Sequence, residues 1–415
     1  MKQNIIRLFP CLILLITFTS ANQWAKYPIG NTNFIFFLNI CTIICIFYYR
    51  KTCFQPDNYK DYRLITVYLI WLFICATRGA FIADNYWEWK QLFIGIFSSI
   101  LPIFVWPFSS KELMAKVIRF WIRYALIAFF LFFIWSVGIS SFYLAPILFV
   151  TCFAPLINNK KWRYFIILFT LVMTVSNLGF RSQVIKGTMT LLICSAVFFH
   201  RLWNDKIIRL AHIAMYLLPI ILLILGISGT FNIFQDLNKN EGRFVEQRIV
   251  DGQLVEEDLS ADTRTFIYEE VITSAIRHNY VFFGRTPARG NDSMAFGAFS
   301  AEELKTGRYE RHGNELCHLN IFTWLGLVGM ILYSCIYFRS SYLAVYKSNN
   351  IYIKLLGVFI AFRWAYGWIE DFNKFDIMNT SLWMMISMGF SEQFRSMNNL
   401  EFKQWVNSIF NKKQK

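Results

Sequence analysis

Three cations stand where a cation is costly. Arg78, Lys186 and Arg363 each lie inside a long apolar run. A basic side chain at a membrane's centre costs at least about 2.5–3.5 kcal/mol and commonly marks a pathway or a site. Arg78 lies a few residues before the end of its run, Lys186 a similar distance after the start of its own, and Arg363 shortly before Glu370. At the helical rise per residue, all three fall roughly 5–10 Å below one surface. Arg181 begins the run that holds Lys186. Each cation could snorkel separately to the headgroups. Their common depth points instead to a shared anion, because an Arg fork suits phosphate oxygens bidentately. The anion met at that depth in a membrane is the pyrophosphate of a lipid carrier.

A second set of candidates lies in the run Arg311-His312-Gly313-Asn314-Glu315-Leu316-Cys317-His318-Leu319-Asn320, which ends as another apolar run begins. A neutral His at the mouth of a helical bundle can take a proton from a sugar hydroxyl near pH 7. The same run could instead cap a helix and anchor it at the headgroups. His278 lies earlier in the same long polar segment, outside this run, whereas His200 and His212 fall near the opposite ends of apolar runs and read as packing or interface residues. The His and Glu spacing matches no zinc pattern, and the nine Cys show no CxxC, so no metal and no cofactor is expected. There is no Walker A, GxSxG or dinucleotide fingerprint either. A transfer reaction here would need a substrate that already carries its energy.

The elements that must position these residues are membrane helices. Hydrophobic residues make up 56% of the 415 and charged residues 16%, against roughly 25% charged in soluble domains. Twelve spans are expected, near 5–21, 32–49, 64–83, 91–108, 118–137, 139–157, 164–178, 183–199, 210–230, 318–337, 353–370 and 377–391. The first resembles a signal peptide but reads as an uncleaved span. The net charge of +15 reflects basic cytoplasmic turns rather than nucleic-acid binding. The even-numbered turns and both ends of the chain hold 24 Lys and Arg, against four in the short odd-numbered turns. That split places both termini in the cytoplasm and the segment 232–317 outside.

The expected organisation is therefore an all-α polytopic bundle. Residues 1–231 form nine helices, 232–317 a large extracytoplasmic loop, 318–391 three further helices and 392–415 a basic cytoplasmic tail. Within the loop, Asp262-Thr263 can cap a helix reaching about Ile276. The Gly-rich stretch Phe283-Gly284-Arg285-Thr286-Pro287-Ala288-Arg289-Gly290 follows as a turn. The loop reads as a small helical cap over the mouth of the bundle.

The order of these pieces resembles the O-antigen polymerase and O-antigen ligase superfamily of bacterial glycan assembly. Thr174-Val175-Ser176-Asn177-Leu178-Gly179-Phe180-Arg181-Ser182 is similar to a small-polar run ending in Arg-Ser at an outer helix start. Thr263-Arg264-Thr265-Phe266-Ile267-Tyr268, continuing to Asn279-Tyr280-Val281-Phe282-Phe283-Gly284, resembles the family's loop helix and the turn after it. His312 or His318 ahead of Gly326-Leu327-Val328-Gly329 resembles a His-Asn run before a Gly-x-x-Gly helix, although neither His has the usual spacing. The resemblance covers roughly residues 170–335. It implies a GT-C-like inverting glycosyltransferase of the bacterial inner membrane, independent of metal and of nucleotide sugars. Its donor would be an oligosaccharide on undecaprenyl pyrophosphate. Arg181 and Arg264 would stabilise the leaving pyrophosphate, and His312 or His318 would serve the acceptor hydroxyl. Arg78, Lys186, Arg285, Arg289, Glu315 and Arg363 would contact substrate. Implied partners are membrane lipid and a chain-length regulator protein.

Polymerase and ligase differ in acceptor: another lipid-linked repeat, or a sugar on the lipid A core. Polymerase is the preferred expectation, because the His run departs from the ligase-like form. A non-enzymatic lipid-linked glycan transporter is the competing class. It would place functional charges near the midplane and often show two related halves.

Overall fold

The computed structural model describes residues 2–22, 28–56, 58–134, 140–176, 181–230, 245–250, 253–258, 264–294 and 296–410. Helices account for most of them: α1 (Lys2–Ser20), α2 (Thr32–Thr52), α3 (Tyr59–Ile82), α4 (Tyr86–Phe108), α5 (Lys111–Ala128), α6 (Ser140–Thr151), α7 (Lys160–Val175), α8 (Arg181–Phe198) and α9 (Asp205–Ile227). After the long loop come α11 (Cys317–Tyr346), α12 (Ile351–Tyr366), α13 (Ile377–Phe390) and α14 (Asn399–Phe410), with α10 (Thr265–Arg277) inside the loop. Among the described residues, five helices, α2, α3, α4, α9 and α11, are long and apolar enough to cross a membrane. The chain is an α-helical membrane protein.

Local chemistry sets many of the helix starts. Asn31, Asn58, Asn85, Asn159, Asn204 and Asn350 each accept a backbone N–H of the first turn with the side chain, as do Ser110 and Asp376. Each such cap satisfies a donor that the helix itself leaves without a partner. The core is aromatic: Trp106, Trp121, Trp383, Tyr68, Tyr143, Tyr333 and Tyr337 are fully buried. Every residue of α13 is buried, which puts this helix at the centre. In α9 only Ile208 and His212 are buried, so α9 lies at the periphery with its apolar side chains outward.

The loop is less helical than its sequence suggests. Its one α-helix among the described residues is α10, which starts within two residues of the expected position. Ahead of it, β1 (Val245–Val250) and β2 (Gln253–Asp258) pair antiparallel, with Val245 opposite Asp258 and Val250 opposite Gln253. The residues between the strands are Asp251 and Gly252, a pair suited to a two-residue hairpin turn. A short bridge, β3 (Asn291–Asp292) with β4 (Glu310–Arg311), closes the rest. The all-helical cap is thus corrected to one helix with a hairpin. Asp262 and Thr263, the expected cap, lie outside the described residues.

α11 is broken at Gly326, whose φ of 70° and ψ of −173° are non-helical. A broken helix frees backbone groups that must find partners away from water. The turn after α10 supplies them. The Leu327 N–H donates to the Val281 carbonyl at 2.8 Å, and the Arg285 N–H donates to the Thr323 carbonyl at 2.7 Å. Trp71 of α3 donates its indole N–H to the Leu325 carbonyl at 2.9 Å. The Gly-rich stretch is therefore a wedge between α3, α4 and α11, and it fixes the loop to the bundle. Ile267, Val271 and Ala275 of α10 bury against Leu316, Leu319 and Phe322, which seats the loop helix on the start of α11.

Candidate functional site

The turn that follows α12 gathers the charged residues. Its backbone first anchors α11: the Cys317 N–H donates to the Glu370 carbonyl at 3.1 Å and the His318 N–H to the Gly367 carbonyl at 3.3 Å. The Asn373 carboxamide donates to the Cys317 carbonyl at 3.0 Å and accepts from the Tyr333 hydroxyl at 3.1 Å. With the turn held this way, the Glu370 side chain points inward. Lys186 Nζ lies 2.8 Å from Glu370 Oε1, and Arg363 Nη1 lies 3.9 Å from Glu370 Oε2. Lys186 and Arg363 are both buried. Buried charge is tolerated only when paired, and Glu370 is the counter-ion of both.

Two more carboxylates flank this pair. Burial raises the Asp371 carboxyl to about 6, against the opposing pull of Lys374. Burial likewise raises Asp376 to about 6, opposed by its bond from the Asn379 N–H and by Lys374. Both carboxyls can therefore exchange a proton near neutral pH.

One residue away, the same turn meets the loop. Arg264 Nε donates to the Ile369 carbonyl at 3.3 Å, and Arg264 Nη1 lies 2.5 Å from Glu315 Oε2. Arg311 Nη2 approaches the other oxygen of Glu315 at 3.5 Å. The Tyr268 hydroxyl donates to the Trp368 carbonyl at 2.5 Å. Below these contacts opens a lateral groove of about 810 Å³ between α9, α10, α11 and α12. Leu218, Leu222, Ile272, Phe322, Phe362 and Ile369 line it. Its walls are apolar along α9 and α12, and Thr265, Tyr268 and Glu269 border it on the loop side.

His312 sits in a different cluster. Its carbonyl accepts from Trp324 Nε1 at 3.1 Å and from Gln91 Nε2 at 3.3 Å. Both ring nitrogens are buried without a hydrogen-bond partner among the described residues. Burial pushes the imidazole below its ordinary value, against the opposing charges of Glu310 and Glu88. It is thus a neutral base at neutral pH. Glu310 pairs with Arg285 at 3.0 Å and with Arg289 Nε at 2.9 Å. Burial would raise this carboxyl, but the Arg289 hydrogen bond and the two guanidinium charges outweigh it and hold it below the ordinary range. Arg285 also reaches Asp292 at 2.9 Å, and Glu88 pairs with Arg308.

The expected site residues therefore separate into groups. Lys186 and Arg363 both approach Glu370, a carboxylate of the chain itself. Arg264, next to the groove-lining Thr265, pairs with Glu315. Arg285 and Arg289 are held by Asp292 and Glu310 beside His312. Arg78 donates to the Phe283 and Gly284 carbonyls at 2.7 and 3.3 Å, so it clamps the wedge rather than joining the other cations. Arg181 is exposed at the start of α8, and the four residues before it lie outside the described set. His318 is fully buried, its ring centroid 5.4 Å from that of Trp364 and 4.7 Å from that of Trp368. Its Nε2 lies 2.8 Å from the Trp364 carbonyl. Among the described residues no group of three His, Cys, Asp or Glu could hold a metal ion.

Sequence reasoning passed over Glu370, Asp371 and Asp376, having weighed only the cations in the spans. Two adjacent carboxylates directly after an apolar run were the signal. It also left Arg311 without a role of its own. No protein-family model, no curated protein and no solved structure matches this chain.

Proposed function

We propose that this chain polymerises oligosaccharide repeat units carried on undecaprenyl pyrophosphate, at the periplasmic face of a bacterial inner membrane. In this reading about twelve helices cross the membrane in a GT-C-like arrangement, with both termini cytoplasmic. The observation that carries the proposal is the lateral apolar groove, lined by Thr265 and Ile369, beside which Arg264 donates to the Ile369 carbonyl. A long isoprenoid needs an apolar channel open to the bilayer, and its pyrophosphate needs a cation at the outer end of that channel.

The reaction is a single displacement. The acceptor hydroxyl oxygen attacks the anomeric carbon from the face opposite the carrier. The bond from that carbon to the carrier oxygen breaks, and its electron pair leaves on the pyrophosphate. Arg264 stabilises the charge that develops there. The hydroxyl proton passes to a neutral base, for which His312 has the buried, unprotonated imidazole.

The test is surface glycan from a deletion strain complemented with the wild-type gene. A single repeat on the lipid A core in the deletion, with long chains restored on complementation, is the expected result. Long chains retained on the lipid carrier would assign a ligase instead. Lipid-linked repeats that accumulate only on the cytoplasmic leaflet would assign a transporter.

A further inference from the structure

We infer that Glu315 is an internal stand-in for the substrate's phosphate, and that Arg264 and Arg311 together form the fork it occupies. Each oxygen of the Glu315 carboxylate faces a different guanidinium, at 2.5 Å from Arg264 and 3.5 Å from Arg311. A carboxylate held between two guanidiniums presents the same pair of acceptor oxygens as one edge of a phosphate. The fork is built into the loop. The Arg311 side chain is only 13% exposed and its guanidinium stacks on Phe296 at 4.3 Å. Arg264 is held by the Ile369 carbonyl.

The carboxylate differs from its partners in being 54% exposed, so it can swing out while the guanidiniums stay. Arg311 Nη1 is buried without a hydrogen-bond partner among the described residues. The fork thus holds a donor that Glu315 leaves unused and a larger anion would reach. The second carboxylate near Arg311, Glu270, accepts the Met294 N–H at 3.1 Å and balances charge from a fixed position. The ligand class follows from the surroundings. Thr265, next to Arg264, and Ile369, which holds it, both line the apolar groove. The fork therefore takes a diphosphate ester whose apolar chain lies in that groove, and Glu315 keeps the two cations neutralised until it arrives.

This inference rests on reading the groove as a lipid-carrier site, although its test does not need glycan transfer. Full-length protein in neutral detergent is titrated with farnesyl pyrophosphate, with inorganic pyrophosphate, and with phosphatidylglycerol in mixed micelles. Glu315→Gln keeps the shape and removes the charge. It should bind farnesyl pyrophosphate roughly twofold to fivefold more tightly than wild type, the scale of one partly exposed ion pair no longer broken. Arg311→Lys should bind it more weakly, also in the Glu315→Gln background, with the thermal midpoint confirming that the variant folds. Unchanged or weaker binding by Glu315→Gln would overturn the inference. So would inorganic pyrophosphate binding as tightly as the prenyl compound, which detaches the fork from the groove. Phosphatidylglycerol binding equally well would make the ligand an ordinary phospholipid and overturn the diphosphate assignment. Should glycan extension fail its own test while these binding results hold, the fork stands and only the reaction falls.

Discussion

Gly326 and Gly284 meet backbone against backbone: a Cβ on Gly326 would lie 2.4 Å from the Gly284 nitrogen and 2.2 Å from the Phe282 carbonyl oxygen. Both glycines have φ near +70°, where a side chain is strained in any surroundings. The two Gly-containing motifs of the loop turn and of α11 are therefore halves of one contact. Gly326→Ala should lower the thermal midpoint in detergent and abolish glycan extension, because the wedge loses its seat. The positive-φ, extended-ψ backbone of Gly326, a region nearly reserved for glycine, alone costs about 1–3 kcal/mol, and backbone atoms have little room to yield. Gly313→Ala is the control. Nothing lies within 4 Å of a Cβ there, and its midpoint should match wild type.

Lys186 and Glu370 form a buried pair whose side chains are 4% and 15% exposed. Glu370→Gln leaves Lys186 without its counter-charge. Breaking one partner of a buried pair costs roughly 3–5 kcal/mol, whereas replacing both with apolar groups is often neutral. Glu370→Gln should therefore fall well below wild type in thermal midpoint, and Lys186→Met/Arg363→Met/Glu370→Leu, which removes both cations that Glu370 neutralises, should recover most of the loss. A recovered triple variant that still extends glycan would assign the charge cluster to stability. A recovered but inactive one would place it in the reaction.

The helices were legible in the sequence because each apolar run is a local signal. The turn at Gly284 was legible too, since Phe283-Gly284 and the residues to Gly290 break any helix. What that turn does was not, because its partners Thr323, Gly326 and Leu327 lie far along the chain. Arg78 shows the same limit. Its depth could be read, but its partners are backbone carbonyls, which every residue carries. The common depth of Arg78, Lys186 and Arg363 suggests one shared substrate anion, whereas the group between Lys186 and Arg363 is Glu370, a carboxylate of this chain. The hairpin at Val245–Asp258 was passed over although Asp251-Gly252 between two apolar-containing stretches suggests it, because the Phe266–Ile272 periodicity drew the reading toward helix.

His312 and His318 should separate cleanly. His318 is packed between Trp364 and Trp368, and a Cβ on Gly367 would lie 2.7 Å from its Nε2. His318→Ala opens a cavity in that stack and should lower the thermal midpoint. The ring nitrogens of His312 have no hydrogen-bond partner among the described residues, so His312→Ala should leave the midpoint nearly unchanged. Loss of a general base lowers rate by roughly 10²–10⁴-fold, and glycan extension should fall accordingly. Normal extension by His312→Ala would remove it from the reaction and leave the Asp371 and Asp376 carboxyls as the remaining proton acceptors of the site.

Asp371 and Asp376 give the protein a pH dependence of definite sign. Burial raises both carboxyls from the ordinary 3.8 to about 6. A group whose folded value is raised contributes stability that is complete below its unfolded value and is lost as pH rises through its folded value. The window is therefore about pH 4 to 6, with the contribution absent at pH 7. Glu310 and Asp292 run the other way. Burial raises each, but the Arg hydrogen bonds and charges outweigh it and lower them, so they cost stability as pH falls. The total curve mixes both, and the difference between wild type and Asp371→Asn/Asp376→Asn isolates the first pair. Asn at 376 keeps an N-cap acceptor for α13. Relative to wild type, the double variant should gain thermal stability at pH 7.5, keep about half of that gain at pH 5 and lose it by about pH 4. A constant offset across this range would show that neither carboxyl is raised.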